Sequence, residues 1–394
     1  MRRTHLRPPT DSSPKISRRV PQRRAAIRLA LPAGPAILIL GCLILGCLPR
    51  LTPVWGQIAR PDDAPPALST DESRATFQLP AGFRMELIAA EPLLREPSGV
   101  CWDERGQLFV SELHGYNLEG QYDIEELNRG GELDRVVRRV QADERHKQAA
   151  AAETYGTIRR LVDSDNDGRI DRAELWADRL PPCLGICPAR GGIIAACQTE
   201  IWFLADRDQD GTAEVRELLF AGFQEGPLER SINCPQWGPD NWIYFGRGAG
   251  GGTIRGKYLA QTVELPGTDF RIQPDGTAIE PVTGSTATMG FAFTEAGDRF
   301  TISTRTPGIF VAPLPWHYLA RNPDVAATSL QEAATADQRV YPTSRPHPWR
   351  TRRAEDPGFA KYYSDRYGIE ESAPNGYFTS ACSPLVYQDT ALPG

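Results

Sequence analysis

The stretch Val162-Asp-Ser-Asp-Asn-Asp-Gly-Arg-Ile-Asp-Arg-Ala-Glu-Leu175 returns in modified form as Ala205-Asp-Arg-Asp-Gln-Asp-Gly-Thr-Ala-Glu-Val-Arg-Glu-Leu218. The two copies are offset by 43 residues, and a strand-like apolar run precedes each of them. β-Propeller blades are units of four short strands that recur about every 40–50 residues. The repeat therefore predicts an all-β fold, a β-propeller, in which each acidic turn joins two strands of a blade.

The rest of the chain beyond residue 76 agrees with this prediction. Short apolar runs such as Gln107-Leu-Phe-Val-Ser, Asn241-Trp-Ile-Tyr-Phe and Arg299-Phe-Thr-Ile-Ser follow polar turns. The 36 Gly and 34 Pro among 394 residues favour many tight turns and argue against a helical bundle. Residues 123–153 depart from the pattern, because apolar residues at helical spacing among charges predict a helical insertion there.

Composition divides the chain into three segments. Residues 1–56 are a basic leader that contains an uncharged apolar stretch, residues 29–48, about the ~20 residues needed to span a membrane. The small residues before Gln57 favour a cleaved signal peptide, and a retained anchor with its basic end in the cytoplasm is the alternative. Residues 57–75 are a Pro- and Asp-rich linker, and residues 76–394 form the propeller domain. Both forms of the leader predict an extracytoplasmic domain, in the periplasm or at the cell surface, either secreted or anchored in the membrane through its N-terminus.

The charge distribution excludes one class of partner. The formal net charge is −6, but residues 1–28 carry +8, so the remainder carries −14. An acidic body of this kind repels phosphate backbones, and we expect no nucleic acid partner.

Six cysteines lie beyond the leader, and an oxidising compartment makes one or two disulfides plausible. Cys183–Cys187 and Cys187–Cys197 are both near enough in sequence to pair, so the choice stays open. No Cys-x-x-Cys-His signature occurs, and the chain is therefore expected to carry no c-type haem.

The repeated acidic turns match the pattern Asp-x-Asp-x-Asp-Gly-x5-Glu. Alternating carboxylates around a glycine turn suit a hard cation, and a carboxylate six residues beyond the glycine can close its shell, so the pattern predicts Ca²⁺. β-Like runs flank both turns, which argues against EF-hands, and acidic turns without an ion are the alternative. The predicted metal ligands are Asp163, Asp165, Asp167, Glu174, Asp206, Asp208, Asp210 and Glu217.

Several stretches carry a resemblance to a known family. Phe77-Gln-Leu-Pro-Ala-Gly-Phe83, Cys101-Trp-Asp-Glu-Arg-Gly-Gln-Leu-Phe-Val110, Trp237-Gly-Pro-Asp-Asn-Trp-Ile-Tyr244 and the two acidic turns resemble planctomycete-type membrane-bound dehydrogenase propellers. Those proteins are similar to quinoprotein glucose/sorbosone dehydrogenases. The resemblance runs from about residue 77 to the end of the sequence.

The resemblance implies a propeller of the six-bladed type, incomplete at its C-terminal end in this sequence. It also implies an enzyme, a sugar or alcohol dehydrogenase that depends on pyrroloquinoline quinone and Ca²⁺. Its substrate would be a carbohydrate or small alcohol, and a c-type cytochrome domain or protein would accept the electrons.

Four residues are candidates for the site of such an enzyme. His114 follows a strand where propeller strands reach their loop face, and we predict it as the catalytic residue. Arg230, Asn233 and Arg247 are the predicted cofactor-binding residues, because arginines and glycine-rich turns can hold carboxylates. Relatives often have a histidine where Arg230 stands, and arginine stays protonated and cannot act as a general base. A non-catalytic, calcium-stabilised propeller that serves as a binding or scaffold module is therefore the alternative function.

Overall fold

The computed structural model describes residues 68–113, 156–224, 231–248, 250–286, 289–302, 309–336 and 381–390, together with residues 357 and 361. The leader, most of the linker and the predicted helical insertion at 123–153 lie outside these residues. Within them, no helix is long and apolar enough to cross a membrane.

The regular secondary structure of the described residues is mainly β-strand, and it includes two short helices, α1 and α2. Helix α1, Thr70–Ala75, begins at a capping box in which Ser69 and Glu72 satisfy each other's backbone N–H groups. Helix α2, Trp316–Leu319, begins directly after Pro315.

Four antiparallel sheets follow one another along the chain, and we call them blades 1 to 4. Blade 1 has the order β1 (Pro97–Trp102), β2 (Leu108–Glu112), β3 (Gly156–Val162) and β4 (Arg172–Leu180). Blade 2 has β5 (Cys183–Ala189), β6 (Gly192–Cys197), β7 (Glu200–Ala205) and β8 (Val215–Phe223), extended by β11 (Gly252–Gly256) and β12 (Val263–Leu265). Blade 3 has β9 (Asn233–Trp237), β10 (Ile243–Gly246), β13 (Phe270–Ile272) and β14 (Ile279–Pro281). Blade 4 has β15 (Phe291–Phe293), β16 (Arg299–Ile302), β17 (Ile309–Ala312) and β18 (Glu332–Ala333).

Blades 1 and 4 and the first four strands of blade 2 are up-and-down meanders, whereas the chain of blade 3 leaves after β10 to form β11 and β12 of blade 2 before it returns as β13. The first strands of blades 1 to 3 are in contact, β1 with β5 and β5 with β9. The predicted all-β propeller fold is thereby confirmed, with four blades in the described residues. The blade count of six implied by the resemblance stays a prediction.

The core fills the spaces between blades. Strand β6 is buried along almost its whole length, since blades 1 and 3 cover its two faces. This explains why Gly192-Ile-Ile-Ala-Ala-Cys197 reads as a continuous apolar run and does not alternate with polar residues. Stacked Phe245 and Phe270, with ring centroids 5.1 Å apart, fill the space between blades 2 and 3.

The disulfide differs from both sequence-based pairings. Cys183 and Cys197 lie opposite each other on β5 and β6 and are bonded, whereas Cys187 lies opposite Ile194 and keeps a free, buried thiol. The pairings predicted through Cys187 are therefore not formed, because the hairpin register aligns Cys197 with the other end of β5.

In a meander, alternate turns lie at the same end of the sheet. The acidic turns, β3 to β4 and β7 to β8, therefore share one end with the β1–β2 and β5–β6 turns. Arg247 and the first residues of β9 and β15 lie at the opposite end.

Candidate functional site

The first acidic turn, residues 163–171, is shaped by its own side chains. Carboxylate oxygens of Asp163, Asp165 and Asp167 lie within 4.8 Å of one another. Asp163 uses both oxygens locally, since Oδ1 accepts from the N–H of Asp167 at 3.1 Å and Oδ2 from that of Gly168 at 2.8 Å. Gly168 has φ +87°, a conformation that favours glycine.

The second acidic turn, residues 206–214, repeats the design with one difference. Oxygens of Asp206, Asp208 and Asp210 again lie within 4.8 Å of one another, and Oδ2 of Asp206 accepts from the N–H of Gly211 at 3.0 Å. Oδ1 of Asp206, however, is buried and has no hydrogen-bond partner. Buried carboxylate oxygens are costly without a partner, and a bound cation is one way of satisfying them.

Blade 3 has a matching turn without the acidic triad. Residues 273–278 reverse the chain with Asp275-Gly-Thr-Ala, and Oδ1 of Asp275 accepts from the N–H of Thr277 at 3.0 Å. In the second acidic turn, Oδ1 of Asp210 accepts from the N–H of Thr212 at 2.8 Å in the same way. The blade 3 turn reverses the chain with a single aspartate. Chain reversal alone therefore does not explain why each acidic turn has two further aspartates.

The two predicted glutamate ligands lie elsewhere. Glu174 is aligned with Arg160 across β3 and β4, and its carboxylate accepts from that guanidinium, with a further ion pair to Arg172 at 2.9 Å. Glu217 accepts from Lys257 Nζ and the Tyr258 hydroxyl, and these hydrogen bonds lower the pKa of Glu217 below its ordinary 4.5. The structure thus brings together three aspartates in each turn but not the glutamate. Each glutamate lies on an extended strand, which places it away from the three aspartates, whereas the helix after an EF-hand loop places the glutamate beside them.

The second acidic turn is also part of the contact between blades 1 and 2. The N–H of Ala213 donates to the carbonyl of Trp176 at 2.8 Å. Gly211 lies against Arg160, whose Nη2 would be 3.4 Å from a β-carbon added at that glycine. Arg160 in turn donates to Oε1 of Gln107 at 3.2 Å, which connects the turn to the β1–β2 turn of blade 1.

A cavity of about 220 Å³ opens beside this turn. Its walls come from the β1–β2 turn (residues 103–107), the β5–β6 turn (residues 191–193) and the second acidic turn, which contributes Asp206 and Gln209. Phe109 and Trp176, edge to face with centroids 5.0 Å apart, lie at its buried side. No local sequence pattern indicates this cavity, because its walls come from two blades.

Of the residues predicted to bind a cofactor, Asn233 and Arg247 lie at the end opposite the acidic turns. His114 and Arg230 are outside the described residues. Asn233 has no exposed surface, and its amide donates to the carbonyl of Ser231 at 2.9 Å and accepts from the N–H of Gly290 at 3.2 Å.

Arg247 is half-buried, and its Nε donates to Oγ of Ser285 at 2.5 Å. The Asn233 amide is thus engaged inside the protein, and the binding of pyrroloquinoline quinone by these residues stays a prediction.

One buried acid near Arg247 was missed by the sequence analysis. Asp269 has no exposed surface and accepts from the Arg247 N–H at 3.0 Å, from the Thr286 N–H at 2.7 Å and hydroxyl at 2.8 Å, and from Arg299 Nη1 at 2.6 Å. These contacts join blade 3 to blade 4. No local pattern signals them, because Arg299 is 30 residues away.

Comparisons with known proteins identify a family but no activity. Residues 69–394 match the model of a family described as "Domain of unknown function (DUF7133)". No curated protein matches the chain.

Two solved structures are similar at low identity. One is a luciferin-regenerating enzyme, 10% identical, with a TM-score of 0.28 over 55% of this chain and 54% of that one. The other is a catalytically inactive virginiamycin B lyase from Staphylococcus aureus with quinupristin, 11% identical, with a TM-score of 0.27 over 56% of this chain and 68% of that one. The match covers about half the length of the first structure. Structural similarity at these TM-scores does not indicate the activity of this chain.

Proposed function

This chain belongs to the DUF7133 family, and we propose that it is a calcium-stabilised β-propeller that serves as a binding or scaffold module outside the cytoplasm. The observation that carries the proposal is the unpartnered, buried Oδ1 of Asp206 in a turn that also holds two further carboxylates. Three carboxylates held together repel one another, and a divalent cation removes both this repulsion and the unsatisfied oxygen.

The choice of Ca²⁺ follows from the donor atoms. The triads offer carboxylate oxygens, and Ca²⁺ binds oxygen ligands in flexible geometry, whereas Zn²⁺ prefers sulfur and nitrogen. The shorter turn of blade 3 supports this reading, because it reverses the chain without extra carboxylates.

The location of the domain is part of the proposal. The disulfide between Cys183 and Cys197 supports an oxidising compartment, since such bonds are rare in the cytosol. The apolar stretch at residues 29–48 supports delivery to that compartment as a secreted or anchored protein.

Calcium titration of the full chain tests the function. We expect binding heat in calorimetry and a higher melting temperature, since a ligand at about 100 times its dissociation constant stabilises the folded state by about 2.7 kcal/mol. Asp206→Asn should lose one binding site, and Asp71→Asn, which changes an exposed carboxylate of α1, should bind as the unchanged chain does. Absence of heat and of stabilisation, or unchanged stoichiometry in Asp206→Asn, would overturn the proposal.

A second function, oxidation of a sugar or alcohol with electrons passed to a c-type cytochrome, is supported by the resemblance of residues 77–394 to quinoprotein dehydrogenases. Arg230 and the engaged amide of Asn233 weigh against it. Titration with pyrroloquinoline quinone, with and without Ca²⁺, separates the two functions. Calcium-dependent quinone binding together with sugar-dependent reduction of an artificial acceptor would favour the dehydrogenase, and stabilisation by Ca²⁺ without quinone binding would favour the binding module.

A further inference from the structure

The cavity beside the second acidic turn lies between blades 1 and 2. Its volume of about 220 Å³ is below the ~300–1,000 Å³ of sites for drug-sized molecules, so it suits a small ligand. Glu104 of the β1–β2 turn carries its carboxylate from blade 1 to blade 2, where Oε1 is 3.6 Å from the position of a β-carbon added at Gly191. A ligand in this cavity therefore touches turns of both blades.

The walls of the cavity carry more negative than positive charge. Three carboxylates and two guanidiniums line it, from Asp103, Glu104, Asp206, Arg105 and Arg160. The guanidinium of Arg160 is already paired with Glu174. Asp103 and Glu104 have no ion-pair partner in the part of the chain that the structure describes. The remaining charge of the cavity is negative, which favours a cation.

The buried side of the cavity is apolar. Phe109, Trp176 and Ile193 line it, and all three belong to the hydrophobic cluster between blades 1 and 2. The carboxylates would repel an anion, and an uncharged apolar molecule would leave them without a partner. A ligand that fits both sides carries a positive charge at one end and an apolar chain at the other.

We propose that this cavity binds a primary ammonium group at the end of a short unbranched alkyl chain. The ammonium would donate its N–H groups to Asp103 and Glu104, and the chain would lie against the apolar side. Oδ1 of Asp103 accepts from the N–H groups of Arg105 and Gln107 at 2.9 and 2.7 Å, which holds this carboxylate in place in the β1–β2 turn. The inference goes beyond the calcium-stabilised module proposed above and does not depend on Ca²⁺, because Asp103 and Glu104 belong to neither triad.

Ligand-observed NMR on the full chain tests the inference, with n-pentylammonium as the probe and EGTA present to remove Ca²⁺. n-Pentanol and pentanoate, which carry a neutral and a negative head group on similar chains, are the controls. We expect n-pentylammonium to bind at least about tenfold more tightly than either control, because hydrogen bonds between charged groups are the stronger ones. N-acetyl-lysine methylamide presents the same head group on a peptide unit. Binding as tight as that of n-pentylammonium would indicate a lysine side chain of another protein as the source of the ammonium, and weaker binding would indicate a free amine.

Two variants test the carboxylates. Asp103→Asn keeps the oxygen that accepts in the turn and removes the charge, and it should weaken n-pentylammonium binding at least about tenfold. Glu104→Lys places an ammonium of the chain itself at the cavity and should weaken binding as much, and because Glu104 is exposed this variant should keep its melting temperature.

Asp275→Asn is the matched control. Oδ1 of Asp275 accepts from an N–H two residues ahead, as Oδ1 of Asp103 does, but Asp275 does not line the cavity, so this variant should bind as the unchanged chain does. Equal binding of n-pentylammonium and n-pentanol, or unchanged binding in either folded variant, would overturn the inference. Absence of n-pentylammonium binding would also overturn it and would leave the calcium proposal standing.

Discussion

Replacing both Cys183 and Cys197 with alanine removes the disulfide that joins β5 to β6 in blade 2. The two cysteines are 14 residues apart in sequence, and both are fully buried. A bond that closes a loop of about 15 residues stabilises the folded state by about 3 kcal/mol, because it restricts the unfolded chain. We therefore expect the double variant to lose about 3 kcal/mol of unfolding free energy.

Urea unfolding followed by tryptophan fluorescence measures this loss, with and without a reducing agent. The reductant should destabilise the unchanged chain by the same ~3 kcal/mol and leave the double variant as it is. Cys187→Ala is the matched control: burial raises the pKa of this thiol to about 12, so it stays protonated and unreactive, and the variant should keep its sensitivity to reductant. An unchanged chain that loses less than about 1 kcal/mol on reduction, or a double variant that is itself weakened by the reductant, would refute the reasoning.

Two further predictions concern charged contacts. Asp269→Asn removes the negative charge opposite buried Arg299, and urea unfolding should show a loss of about 3–5 kcal/mol in unfolding free energy. The control Asp71→Asn changes an exposed ion pair and should lose less than about 1 kcal/mol. Similar losses in the two variants would contradict this prediction. Hydrogen bonding between the two side chains lowers the pKa of Glu217 below 4.5 and raises the pKa of Lys257 above 10.5. Their contact therefore stabilises the folded state at pH values between 4.5 and 10.5. This stabilisation is lost as pH falls through the lowered pKa of Glu217 or rises through the raised pKa of Lys257. The difference in melting temperature between the unchanged chain and Lys257→Met should accordingly be largest near neutral pH and shrink at both extremes, and a difference independent of pH would count against the contact.

Features that depend on neighbours in sequence were predictable. The acidic turns form because aspartate side chains accept from N–H groups up to five residues ahead and glycine supplies the positive φ, as at Gly168 and Gly211. Their repetition at the interval of a blade, together with apolar runs between turns, was enough to predict an all-β propeller. The sequence also identified all six aspartates that the structure gathers into two triads.

Features that depend on register and on contact between blades were decided by the tertiary structure alone. Strand register decides three of these features, because it sets which residues lie opposite one another. It selects the disulfide partner of Cys183, places Arg160 beside Glu174 for their ion pair, and buries Asn233. The cavity beside Asp206 exists only because turns of two blades meet there. The acidic turns depend on side chains and N–H groups within five residues of each other, whereas these contacts join positions 13 or more residues apart. Only the folded chain brings such positions together.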